Sequence, residues 1–169
     1  MIVRDLETLY DYVYWANRRL FAVLARLTPE EFTRGVAGSY GSVRNTLVHM
    51  LSAEWGWLER CGGPPRGARL EAHDYPTAAS VVEAWARVES HMRAFLARLT
   101  DDELTHNAVY KNDRGEERGM PLGELLHHAA LHGVHHRGQV ATLVRMLGHA
   151  PGNVDILLYY AEKRGVPAF

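Results

Sequence analysis

The chain has 169 residues, of which 47% are hydrophobic and 23% charged, and its formal net charge is −1. That balance supports one globular domain over residues 1–169 and excludes a disordered chain. It also supplies no basic excess to hold nucleic acid or an anionic membrane surface. A lone cysteine, Cys61, excludes an internal disulfide and a cysteine-built zinc cluster. The first residues, Met1-Ile2-Val3-Arg4-Asp5-Leu6-Glu7, lack the basic start and apolar run of a signal peptide. Charges interrupt every apolar run short of a membrane span. A reduced, cytoplasmic setting is expected.

Four long segments have helical periodicity. The first is predicted from about Asp5 to Leu27, with Leu6, Leu9, Val13, Leu20, Val23, Leu24 and Leu27 at three- and four-residue steps. The second begins near Ser42 and stops before Gly62-Gly63-Pro64-Pro65. The third starts near Ser80, where Ser80-Val81-Val82-Glu83 has the form of a capping box, and runs to Leu99. The link from about Thr105 to Gly119 is polar, and Asn112-Asp113-Arg114-Gly115 reads as a tight turn within a loop capping one bundle end. The fourth helix opens with Pro121 in its first turn and closes at Leu147-Gly148. A shorter fifth covers Asp155 to Arg164.

The first and third helices end alike, in Leu24-Ala25-Arg26-Leu27-Thr28-Pro29-Glu30-Glu31 and Leu96-Ala97-Arg98-Leu99-Thr100-Asp101-Asp102-Glu103. Each leads into a Thr-x-x-Glu cap, which suggests two paired halves. With no strand series, the fold class expected is all-α, a four-helix bundle with a short C-terminal helix.

The chemistry concentrates in the fourth helix. Five of the ten histidines lie between His127 and His136, and His128, His132 and His136 are spaced four apart. On a helix these three and Gln139 fall within about 80° of arc. Leu125, Leu143 and Met146 share that arc, which is therefore the face expected to bury. His127 projects to the opposite side, and His135 lies on the flank. His49 edges the apolar stripe of the second helix, and Glu54 projects into its middle, where a buried carboxylate needs a partner.

Two imidazoles from the fourth helix and one from the second, with a coordination position left open, make a catalytic rather than a structural zinc pattern. The same histidines would also serve to satisfy polar holes in a core or to form an interface. Geometry alone does not choose the pair His128 and His132 over His132 and His136.

Blocks along the chain carry a resemblance. They are Tyr14-Trp15-Ala16-Asn17 with Arg19-Leu20, and Gly41-Ser42-Val43-Arg44-Asn45-Thr46-Leu47-Val48-His49 continuing to Ala53-Glu54-Trp55. Pro121-Leu122-Gly123-Glu124-Leu125-Leu126-His127-His128, His132-Gly133-Val134-His135-His136-Arg137-Gly138-Gln139 and Asp155-Ile156-Leu157-Leu158-Tyr159 follow. In this order they resemble the DinB/YfiT-like superfamily of bacterial metal-binding four-helix bundles. The resemblance implies His49, His132 and His136 as ligands of one divalent metal ion, with His128 a neighbour lining the cavity. Zinc is the first expectation for that ion, before nickel, iron or manganese.

Gln139 and Glu54 are the nearest polar candidates to orient the ligands. Asn17, Tyr10 and Tyr14 either face the cavity or pack and cap. Arg137 projects away from the ladder and reads as half of an ion pair with Asp155 or another loop acid.

For function, the resemblance implies a metal-dependent enzyme acting on a small molecule. It is either a thiol-S-transferase using a low-molecular-weight thiol or a hydrolase. The alternative is a non-catalytic metal-binding protein of a stress response. Gly133 follows His132, so the His-Glu-x-x-His arrangement of zincin peptidases is absent. Cys61 lies about three turns beyond His49 and is not the expected nucleophile. The resemblance also implies a homodimer, which fits the apolar girth of the fourth helix.

Overall fold

The computed structural model describes residues 1–112 and 114–168. Four long helices form the bundle: α1 (Val3–Leu24), α3 (Val43–Arg60), α4 (Ala78–Leu96) and α5 (Leu122–Met146). Helix α1 packs on α4 and α5, and α3 packs on the same two helices, so each element buries two flanks. Short helices α2 (Pro29–Thr33) and α6 (Ile156–Arg164) are added at the ends. No helix among the described residues is long and apolar enough to cross a membrane.

The periodicity carries over into burial. Leu6, Tyr10, Val13, Leu20 and Leu24 of α1 turn inward, and the Tyr10 hydroxyl donates to the Leu126 carbonyl at 2.9 Å. Leu47, Met50, Leu51 and Leu58 of α3 meet Val88 and Met92 of α4 and Leu126, Val140 and Val144 of α5 in one core. Burying a side chain of this size is worth about 1.5–3 kcal/mol. Removal of a central leucine therefore weighs heavily against a domain's usual margin.

Local chemistry places the boundaries. Ser42 starts α3 by accepting from the Asn45 amide at 3.0 Å. Helix α1 ends three residues earlier than expected, because Thr28 and Glu31 form a reciprocal cap that starts α2. At the second Thr-x-x-Glu site, Thr100 and Glu103 form the same reciprocal bonds and lead into a 3-10 turn. Helix α4 begins two residues ahead of the expected Ser80, since Thr77 accepts from the Ser80 amide at 3.2 Å. Glu83 instead pairs with Arg87.

The polar link departs from expectation. It holds an antiparallel hairpin of β1 (Asn107–Lys111) and β2 (Glu117–Pro121). The strands are mostly exposed and weakly patterned, so periodicity did not announce them. Their anchor is Tyr110, whose ring meets Trp57 of α3 at 5.4 Å. Pro121 ends β2 with extended geometry (ψ 132°) and flanks α5 instead of opening its first turn. The turn between the strands includes Asp113, which lies outside the described residues. Met146, expected on the buried face of α5, is 58% exposed in its last turn, whereas Leu125 and Leu143 are buried.

Candidate metal centre

Three histidines from two neighbouring helices point at one spot. His49 lies two turns into α3, and His132 and His136 lie one turn apart on α5. The Nε2 atoms of His49 and His132 are 3.3 Å apart, and those of His132 and His136 are 3.1 Å apart. One ligand nitrogen from each of the three lies within 4.8 Å of the others. A tetrahedral ion with metal–nitrogen bonds of 2.0–2.1 Å needs ligands about 3.3 Å apart. The three residues therefore fit, and this group could hold a metal ion.

The hydrogen bonding sets the ring nitrogens for that task. The Gln139 carbonyl oxygen lies 2.6 Å from His136 Nδ1. An amide oxygen only accepts, so Nδ1 carries the proton and Nε2 keeps its lone pair toward the cluster. The same oxygen accepts from Ser39 Oγ at 2.7 Å, and the Gln139 amide nitrogen donates to His135 at 2.9 Å. Burial disfavours the cationic rings. His49 is lowered to about 4 by burial, then by the charges of His136 and Arg69. His132 is likewise lowered to about 4, by burial and then by the neighbouring histidines. His136 is lowered by burial, with the Gln139 bond opposing. At neutral pH all three are neutral, the form that offers a lone pair.

One flank of the cluster opens on a cavity of about 490 Å³. His49, His132, His128, Trp57 and Tyr40 are among its walls. His128 is exposed, and its ring sits edge-on to Trp57 at 4.9 Å. His127 and His135 are exposed too.

Tyr40 is the residue that sequence reasoning missed. Its ring stacks on His49 with centroids 4.0 Å apart, and its hydroxyl is 2.9 Å from His49 Nε2. The loop that presents it turns tightly. Gly38 and Gly41 take φ of 103° and 83°, and the Gly41 amide donates to the Gly38 carbonyl at 3.0 Å. Such φ values favour glycine. The only advance sign was this Gly-Ser-Tyr-Gly-Ser turn directly before the His49 helix.

Two other named residues serve elsewhere. Glu54 is buried, and its oxygens accept from the Tyr14 hydroxyl at 2.7 Å and Trp85 Nε1 at 3.0 Å, toward α1 and α4 rather than the histidines. Burial raises its pKa against those two bonds. Asn17 accepts from Arg137 at 2.7 Å. Arg137 itself is almost fully buried and faces α1, so its partners are Asn17 and the Val13 carbonyl. It does not reach Asp155, which caps α6 by accepting from the Leu157 amide. Cys61 is buried, which pushes its thiol up to about 12 and leaves it a poor nucleophile.

The chain matches known proteins along most of its length. The sequence model of the DinB family matches residues 1–165. The chain belongs to the DinB family. It is 27% identical over 158 residues to Protein DinB of Bacillus subtilis (strain 168), covering 89% of this chain and 91% of that protein. It is 26% identical over 153 residues to a second protein of that strain, YizA, covering 88% of this chain and 91% of the other. A crystal structure of a DinB-like protein from Bacillus cereus ATCC 10987 superposes with a TM-score of 0.75 at 21% identity. It covers 91% of this chain and 98% of the other. That likeness shows the DinB bundle shared by the two chains.

Proposed function

We propose that this DinB-family protein binds one divalent ion through His49, His132 and His136 and uses it catalytically on a small molecule. The observation that carries the reading is the convergence of three neutral imidazole nitrogens beside an open cavity. An ion bound there supplies Lewis acidity, lowering the pKa of a water or thiol that reaches it. The chain's own part is to fix the ligands. Gln139 holds the His136 tautomer, Trp57 and His128 shape the entrance, and the bundle core keeps one side of the cluster dry. A thiol-S-transferase using a low-molecular-weight thiol is the reading we favour over a hydrolase. No glutamate follows His132 to act as a general base of the zincin kind. We propose zinc as the ion and a homodimer as the assembly.

A second reading has its own observation. The Tyr40 hydroxyl lies 2.9 Å from His49 Nε2, close enough to fill a fourth coordination position. A closed site of this kind suits a non-catalytic metal-binding protein. Zinc titration of Tyr40→Phe separates the two, because phenylalanine keeps the stacked ring and removes only the oxygen. The open-site reading expects an affinity within about twofold of wild type. A loss of tenfold or more would mean that Tyr40 is a ligand, and would favour the non-catalytic reading. Thiol-transfer assays on zinc-loaded protein, with electrophilic acceptors, test the catalysis directly.

A further inference from the structure

The cavity beside the histidines has a wall of arginines. Arg60, Arg66 and Arg69 line it, against a single lining carboxylate, Glu71. Arg60 lies over the Trp57 ring at 4.8 Å. Arg66 is held in place from several directions. Its Nη1 donates to the Ser52 carbonyl at 2.9 Å and to Ser52 Oγ at 3.2 Å, and its Nε lies 3.4 Å from Glu59. Space for it comes from Gly56, where a Cβ would lie 2.9 Å from Nη1. Glycine in mid-helix weakens the helix relative to alanine. Here the missing side chain is the room in which the guanidinium lies across α3. Arg66 thus commits three of its donors to the protein, and Nη2 takes no partner among the described residues. Arg69 is exposed and pairs with no carboxylate among the described residues.

Two arginines with spare donors, placed in one cavity with two of the three histidines, form a recognition element for an oxyanion. We propose that Arg66 and Arg69 bind a carboxylate or phosphate group of a molecule whose reactive end lies at the His49–His132 side of the same cavity. The cavity volume of about 490 Å³ suits a small metabolite rather than a peptide. Gly56 and Ser52 are positioning residues for Arg66. The inference rests on taking this cavity as the substrate pocket of the metal centre, and it selects anionic over neutral substrates.

The test is calorimetric titration of the zinc-loaded protein with mercaptosuccinate and with 2-mercaptoethanol, followed by competition with succinate and with inorganic phosphate. In wild type, mercaptosuccinate is expected to bind at least about tenfold more tightly than mercaptoethanol. Arg66→Ala/Arg69→Ala is expected to bring mercaptosuccinate down to the affinity of mercaptoethanol, and Arg66→Lys/Arg69→Lys to restore part of the preference. Stronger competition by succinate identifies a carboxylate, and by phosphate a phosphate ester. Equal affinity of the two thiols in wild type, or a preference that survives in the alanine double variant, would overturn the proposal. Should wild type bind no zinc, the metal reading fails by itself. Titration of the metal-free chain with succinate and phosphate then decides the arginine claim: a tenfold loss in the double variant supports it, and equal or absent binding overturns it.

Discussion

Gln139→Leu isolates the contribution of one hydrogen bond to metal affinity. In the wild type the Gln139 oxygen lies 2.6 Å from His136 Nδ1 and also accepts from Ser39, while its amide nitrogen donates to His135. Leucine keeps the bulk and removes all three bonds. His136 then has no acceptor to hold the proton on Nδ1, and the tautomer with hydrogen on Nε2 competes at the metal-facing nitrogen. Loss of such a support costs about 10–100-fold in metal affinity, or about 1.4–2.7 kcal/mol. The assay is competition for zinc against a chromophoric chelator, with Gln139→Glu as the control. A glutamate still accepts from Nδ1 and should bind zinc at least as tightly as wild type. A Gln139→Leu protein with zinc affinity within about twofold of wild type would refute the reasoning, because the tautomer would then be fixed without Gln139.

Two further expectations concern the folded chain. Glu54→Leu strands the Tyr14 hydroxyl, the Trp85 N–H and the buried Arg137 charge, so chemical denaturation should show a loss of about 3 kcal/mol. Glu54→Gln, which can still accept from Trp85 and donate to Tyr14, should lose about 1 kcal/mol or less. Equal losses in both would place the effect in the carboxylate charge that faces Arg137 instead of hydrogen bonding. The metal-free protein should also weaken as pH falls through the range where an unfolded histidine, near 6.5, takes up a proton that folded His49 and His132 refuse until about 4. Both folded values lie below the unfolded one, so the unfolded chain binds more protons and stability is lost downward across that window. Urea midpoints at pH 7, 5.5 and 4.5 check this. A His49→Ala/His132→Ala variant should show a flatter profile, and an identical slope would contradict it.

Much of this was legible in the sequence, and the parts that were not have physical reasons. Apolar spacing reported the long helices because a bundle buries one stripe of each, and Gly62-Gly63 and Ser42 marked their ends through backbone chemistry. The i, i+4 histidines announced a polar face on α5. Their partner His49 was already a candidate at the edge of the second helix's stripe, and the resemblance chose His132 and His136 as the pair on α5, since pairing between helices leaves no trace in one helix's spacing. The hairpin stayed hidden because its strands are short and lie against the bundle by one face. Glu54 was visibly out of place as a charge in an apolar stripe, whereas Arg137 read as the partner of a loop acid and proved buried against α1. A helical wheel shows that such a group is buried and says nothing of which neighbouring helix satisfies it. Their partners turned out to lie on α1 and α4, away from the histidines. Tyr40, Arg66 and Arg69 come from loops, where no periodicity operates.

The central claim is that His49, His132 and His136 together hold a metal ion. Metal analysis of protein purified without chelators and equilibrated with zinc tests it most directly, comparing wild type, His49→Ala, His136→Ala and the exposed control His127→Ala. About one ion per chain is expected in wild type and in His127→Ala, and under about a tenth of that in the two ligand variants. Undiminished zinc in both His49→Ala and His136→Ala, with the fold intact, would contradict it.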